Sequence, residues 1–213
     1  IHIQHLSARE SVAVVEAAKA RGVAVTCEAS PHHLTMTDED VRRLDTRRKM
    51  NPPLRGEEDR RALIEGLRSG VIDCIATDHA PHARDEKEVP FEQAPMGTTG
   101  LETGFAAVYT DLVVPGTLPL ALAVEKLTSG LGLLDLLVPR IAVGEPANLV
   151  LADLDATWVV GEAGYESRSE NCCFAGRTLR GRVLLTVAAG TVAYRERSTI
   201  LTRVASSEGR SLR

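Results

Sequence analysis

The sequence predicts an α/β chain in two parts, a parallel sheet with alternating helices and, after it, a smaller β-rich module. Three observations predict this. Apolar strand-like runs alternate with helical patterns across residues 1–140. Four polar clusters contain or follow such runs, which implies one shared pocket at the strand ends, where barrel-type proteins keep their chemistry. From Val143 the texture changes to short β-rich stretches punctuated by glycine. The expected division is therefore residues 1–140, residues 141–194, and a polar, loose tail over residues 195–213.

Residues 1–6 read as a strand. Ser7, with Glu10 three positions on, has capping-box spacing for a helix over residues 8–21, which Gly22 should stop. Val12, Val15 and Ala18 mark its apolar side. The β-favouring run 23–29 follows as a second strand. Thr37-Asp38-Glu39-Asp40 resembles another helix start, and the basic run from Arg42 to Lys49 reads as a solvated face. Leu63, Ile64 and Leu67 place a helix over residues 57–68, ended by Gly70 before a strand over residues 71–77. Residues 83–100 form a long polar loop of the functional kind. Helices are expected over 101–114 and 118–137, and strands over 148–152, 158–160, 183–188 and 191–194.

A chain of 213 residues with 44% hydrophobic content buries a substantial core. The formal charge of -4 gives no general attraction to nucleic acid or anionic lipid, and 3% aromatic content makes a base-stacking surface hard to build. No apolar run reaches the roughly 20 residues of a membrane helix. The start lacks both an initiator Met and a signal-peptide pattern, so the chain reads as part of a longer protein. Cys27, Cys74, Cys172 and Cys173 form no Cys-x-x-Cys pair and read as reduced thiols, which favours the cytoplasm.

The central stretch is Ile72-Asp73-Cys74-Ile75-Ala76-Thr77-Asp78-His79-Ala80-Pro81-His82, an apolar strand ending in acid and imidazole. Alternation puts Ile72, Cys74 and Ala76 on one face with Asp78, so the carboxylate projects from the strand's carboxyl end. The plainer reading is a helix-capping Asp and solvated histidines. His5, at the end of the first strand, fits a metal-ligand role best, because neutral imidazole and carboxylate are usual zinc ligands. His2 has the opposite parity and reads as a helix-facing structural histidine. Adjacent His32 and His33 diverge in an extended segment, so both cannot easily bind one ion. Asn51, before two prolines, either presents its amide to a substrate or forms a turn. His82 is a substrate donor or an exposed imidazole.

Five blocks, in order, carry a resemblance: His5-Leu6-Ser7, Glu28-Ala29-Ser30-Pro31-His32-His33-Leu34, Asn51-Pro52-Pro53-Leu54-Arg55, residues 73–82, and Ala94-Pro95-Met96-Gly97-Thr98-Thr99-Gly100-Leu101-Glu102-Thr103. Together with Gly144-Glu145-Pro146-Ala147-Asn148 they resemble the bacterial type I dihydroorotases of the amidohydrolase superfamily, from Ile1 to about Tyr194. The resemblance implies strands six to eight of a TIM-like (β/α)8 barrel plus the carboxy-terminal part of a small β-sandwich. It implies a zinc-dependent enzyme with two ions, interconverting L-dihydroorotate and N-carbamoyl-L-aspartate in pyrimidine synthesis. His5 would be the strand-six metal ligand, and Asp78 the strand-eight ligand and general acid/base. Asn51 and His82 match substrate-binding positions, and Met96 and Gly97 a backbone contact to substrate. Homodimers or an aspartate transcarbamoylase complex are the implied partners.

The family's first-strand His-x-His, its bridging carboxylate or modified lysine and its strand-five histidine would all precede Ile1, so this chain alone cannot assemble a binuclear site. Thr128 to Leu134 and Cys172-Cys173 depart from the family pattern at places expected to lie away from the pocket. Two other readings are a related cyclic amidase acting on hydantoins, dihydropyrimidines or allantoin, and a non-catalytic dihydroorotase-like subunit. The Asn51 and Thr77 to His82 blocks argue against the first, and the joint presence of His5, Asp78, Asn51 and His82 against the second.

Overall fold

The computed structural model describes residues 1–136 and 138–196. Strands β1 (His2–Ile3), β2 (Thr26–Ala29) and β3 (Cys74–Ile75) form a parallel sheet in that order. His2 pairs with Thr26, Ile3 with Cys27, Glu28 with Cys74, and Ala29 with Ile75. The crossovers run through α1 (Arg9–Ala20) and, after the short α2 (Pro31–Thr35), α3 (Glu57–Ser69). Val12 and Val15 of α1 and Leu63, Ile64 and Leu67 of α3 pack with Cys27, Ala29, Ile72 and Ile75 in one core. Burying each large aliphatic side chain there contributes about 1.5–3 kcal/mol. Cys27, Ala29 and Ile75 therefore face the helices, and Thr26, Glu28 and Cys74 face the opposite side.

Several boundaries differ from the sequence reading for local reasons. Ser7 does not cap α1; it is buried, and its Oγ accepts from Arg55 Nε at 3.0 Å. The Arg9 amide, one of the orphan donors of the first turn, goes instead to Asp59 Oδ1 at 2.9 Å. Thr37 and Asp40 do form a capping box, but on a single 3-10 turn, Asp38–Val41. The expected helix at 101–114 is α5 (Gly104–Val108) running on into a π-helical turn, Tyr109–Val113. The next one splits into α6 (Leu120–Thr128) and α7 (Gly130–Leu133), and its expected last residue, Leu137, lies outside the described residues. The 83–100 loop carries one short helix, α4 (Arg84–Lys87).

The second part is an antiparallel sheet, β4 (Leu149–Val159), β5 (Thr178–Ala188) and β6 (Thr191–Arg195), in the order β4-β5-β6. Two expected strands, 148–152 and 158–160, merge into β4 across irregular pairing between Asp153 and Thr157. There Asp153 Oδ1 accepts the Asp155 and Ala156 amides at 3.0 and 3.1 Å, turning the chain locally without ending the strand. Arg195 belongs to β6; of the expected tail, residues 197–213 lie outside the described residues.

A second core joins the two parts. Val160, Cys172, Cys173, Phe174 and Leu179 pack against Met36, Met50, Leu54, Ala106 and Ala107. Beside it runs a groove of about 1460 Å³, lined by Phe105, Val124, Leu127, Trp158, Val159 and Tyr194 among others. No helix among the described residues is long and apolar enough to cross a membrane.

Candidate active site

Both residues singled out at strand ends leave regular β geometry. His5 has φ 54° and Asp78 φ 50°, left-handed conformations uncommon for side-chain-bearing residues and enriched at functional sites. The twist turns the two side chains toward one another across the carboxyl end of the sheet, His5 Nε2 lying 3.3 Å from Asp78 Oδ1. Two ligands of one tetrahedral zinc ion, each about 2.0–2.2 Å from it, stand roughly 3.3–3.5 Å apart. The pair therefore has the spacing of two ligands.

Glu28, from the neighbouring strand, is buried and reaches both histidines of the first strand. Its Oε2 is 3.1 Å from His2 Nε2 and its Oε1 is 3.0 Å from His5 Nδ1. The latter two atoms lie outside hydrogen-bond alignment, leaving two buried polar atoms unsatisfied, a rare and costly state. A carboxylate behind a histidine whose other nitrogen faces a metal-binding position is a common arrangement. The Glu28 contact raises the His5 pKa against the opposing effect of burial, with Asp78 adding to the rise. Burial pushes Glu28 up, but the facing His5 and His2 imidazoles together outweigh it and leave the carboxyl below its usual range. Cys74, whose ligand atom is grouped with those of His2 and Glu28 within 4.8 Å, is a buried thiol pushed up to about 11.

This arrangement corrects two parity expectations. His2 does not face the helices: its Nδ1 lies 2.8 Å from Thr26 Oγ1, on the Glu28 side of the sheet. Alternation fails as a guide because β1 spans only His2–Ile3 and His5 then takes a positive φ. Likewise β3 is only Cys74–Ile75, so Ile72 turns into the helix-facing core instead of sharing a face with Cys74 and Asp78. Glu28 itself was missed as a site residue, although an acid inside the apolar run 23–29 was a usable signal.

His32 and His33 lie in helix α2, not an extended segment, and their rings converge, with centroids 4.4 Å apart. Ser30 Oγ joins them, 3.0 Å from His32 Nε2 and 2.6 Å from His33 Nδ1, while His33 Nε2 is 2.9 Å from the Pro52 carbonyl. A carbonyl only accepts, so the proton of neutral His33 sits on Nε2 and its Nδ1 must accept from Ser30. Ser30 in turn accepts from His32 Nε2. Burial drives His32 far below its ordinary value and His33 to about 4, consistent with two neutral rings. The chain of hydrogen bonds braces the loop of Asn51, an exposed residue whose bond to Pro52 is cis.

The outer rim brings His82, Met96 and Gly97 together. His82 Nε2 is 2.9 Å from the Met96 carbonyl, and its Nδ1 is 3.5 Å from Glu86 Oε2. Gly97 has φ 123°, and a Cβ there would lie 2.7 Å from Ala80 Cβ, so only glycine fits. The Gly97 amide donates to the Lys49 carbonyl at 2.8 Å, linking this rim to the Asn51 segment. Lys49 Nζ donates to the carbonyls of Phe91, Glu92 and Ala94. The basic run is thus only partly solvated. Cys172 and Cys173 are buried, and the Cys173 amide donates to Thr98 Oγ1 at 2.8 Å, directly behind the rim.

No protein-family model matches the sequence. Among curated proteins, the dihydroorotase of Halalkalibacterium halodurans is 46% identical over 197 residues, covering 92% of this chain and 46% of that protein. The dihydroorotase of Brevibacillus brevis is 47% identical over 195 residues, covering 91% and 46%. Among solved structures, the L-hydantoinase (dihydropyrimidinase) of Arthrobacter aurescens superposes with a TM-score of 0.84 at 30% identity, over 91% of this chain and 44% of that one. The chain spans about half the length of the curated relatives it matches. Over that span, the chain is similar in sequence to dihydroorotases and in fold to a hydantoinase.

Proposed function

We propose that this chain carries part of a dihydroorotase active site. In this reading residues 1–140 are the later part of a TIM-like (β/α)8 barrel and residues 141–194 part of a small β-sandwich. The half of the relatives that the chain does not span would supply the remaining strands and ligands and cover the groove beside α5 and α6. The reaction is the reversible hydrolysis of the cyclic amide of L-dihydroorotate to N-carbamoyl-L-aspartate, in de novo pyrimidine biosynthesis. The observation that carries the reading is the 3.3 Å approach of His5 Nε2 and Asp78 Oδ1, two residues of ligand type held by strained backbone at the ends of different strands.

His5 and Asp78 would hold one of two zinc ions, and Glu28, behind His5, would orient its imidazole. When bound, zinc supplies Lewis acidity and brings the pKa of its water toward neutrality. Asp78 accepts the proton of the attacking water as the carbon–oxygen bond forms, and returns it to the amide nitrogen as the carbon–nitrogen bond breaks. The Asn51 amide and the rim of His82, Met96 and Gly97 face the substrate's oxygen atoms and orient it. The assembled enzyme is expected in the cytoplasm, as a homodimer or with aspartate transcarbamoylase.

The likeness to hydantoinases keeps a related cyclic amidase as the second reading. The complete protein, loaded with zinc, should open dihydroorotate and close N-carbamoyl-L-aspartate far faster than it opens hydantoin or dihydrouracil. Preference for either of the latter rings would replace the proposed substrate.

A further inference from the structure

The β module reaches the rim through the side chains of Asn171 and Ser169. Asn171, in the connection between β4 and β5, is only 5% exposed and makes bonds to both rim loops. Its Nδ2 donates to the Ala80 carbonyl at 2.9 Å and the Gly97 carbonyl at 3.3 Å, and its Oδ1 accepts the His82 amide at 3.1 Å. Its own carbonyl accepts from Thr98 Oγ1 at 2.9 Å and from the Thr99 amide at 3.2 Å. Ser169 supports the contact: its Oγ accepts the His82 amide at 3.1 Å, sits against the His82 carbonyl, and lies 2.5 Å from Asn171 Oδ1. Two carbonyls from separate loops and one amide must be met at once. A carboxamide has the two donors and the acceptor for this; a carboxylate would face two carbonyl oxygens with no proton to give.

The loops so tied carry the His82 ring and the peptide of Met96 and Gly97, whose own contact through His82 Nε2 depends on their spacing. We propose that Asn171 is a positioning residue for substrate recognition, acting through His82 and the Met96–Gly97 peptide, so that the β module sets the geometry with which the pocket reads the oxygen atoms of a small anionic cyclic amide. This rests on the reading that the rim touches substrate. Asn171 touches neither the reacting atoms nor His5 and Asp78, so its loss should be felt in binding and not in proton transfer.

The test uses the complete zinc-loaded protein with Asn171→Asp and Asn171→Ser, and His82→Ala as a control, measuring kcat, KM, zinc content and amide hydrogen exchange at His82, Thr98 and Thr99. For both Asn171 variants KM for dihydroorotate should rise roughly tenfold or more, with kcat changed less than about threefold. Zinc content should stay at the parent level and exchange at the three amides should quicken. Asn171→Ser, which keeps a neutral polar group and adds no charge, should be the milder of the two and guards against misfolding of Asn171→Asp. If His82→Ala raises KM but the Asn171 variants do not, Asn171 is structural only and the proposal falls while the rim reading stands. If His82→Ala leaves KM unchanged, the rim reading fails and takes the proposal with it. A fall in kcat or zinc content equal to the rise in KM would also overturn it.

Discussion

Replacing His33 with glutamine should remove a defined part of the protein's acid sensitivity. The unfolded chain takes up a proton on this imidazole near the ordinary value of 6.5, whereas burial holds the folded ring at about 4. Between those values the unfolded state binds more protons, so this residue's effect is to lower stability as pH falls and to have none above about pH 7. The gap of about 2.5 units corresponds to about 3 kcal/mol below pH 4, and to about 2 kcal/mol at pH 5. Protonation would also put a hydrogen on Nδ1, which faces Ser30 Oγ at 2.6 Å, and reverse the direction of the bond from Ser30. Glutamine has a donor to offer the Pro52 carbonyl but does not titrate. Urea unfolding of parent and His33→Gln at about pH 7.5 and pH 5 measures the effect: the difference between the two proteins should move by about 2 kcal/mol in favour of the variant at the lower pH. The comparison cancels contributions common to both proteins, including that of His5, whose raised pKa acts with the opposite sign. A difference independent of pH would refute the neutral, one-directional chain through His32, Ser30 and His33.

Asp78→Asn keeps shape but removes the proton acceptor, so kcat in the complete protein should collapse in both reaction directions; near-parental turnover would end the proposed mechanism. His82→Ala should raise KM on the order of ten- to a hundredfold with zinc content near the parent's, as read by steady-state kinetics and metal analysis. Gly97→Ala should cost about 1–3 kcal/mol in a denaturation experiment, since the new methyl meets Ala80 at 2.7 Å and the φ of 123° is strained for alanine. The chain by itself should hold zinc weakly and show no turnover, because it offers His5 and Asp78 where a tight site needs about four ligands; calorimetric titration with zinc showing a tight one-to-one complex would contradict this.

What the sequence determined by itself was the order of elements and the chemistry at their ends. Strong helical spacing in Leu63, Ile64 and Leu67, with Gly70 after them, located α3 nearly to the residue, and the acid, imidazole and amide types at His5, Asn51, Asp78 and His82 named the residues worth watching. Direction was another matter. Period-2 alternation tells which way a side chain points only while the backbone stays extended, and the strands of the parallel sheet are two to four residues long. Positive φ at His5 and Asp78 then broke the alternation where it mattered, so only the tertiary structure put His2 beside Glu28 and brought His5 to Asp78. The first half of β5, with Arg180, Gly181 and Arg182, has weak strand propensity and is held by pairing with β4. Asn171 carried no local signal at all. Its partners Ala80 and Gly97 stand 91 and 74 positions away, and a bond between residues so distant in sequence exists only once both parts of the chain have folded against each other.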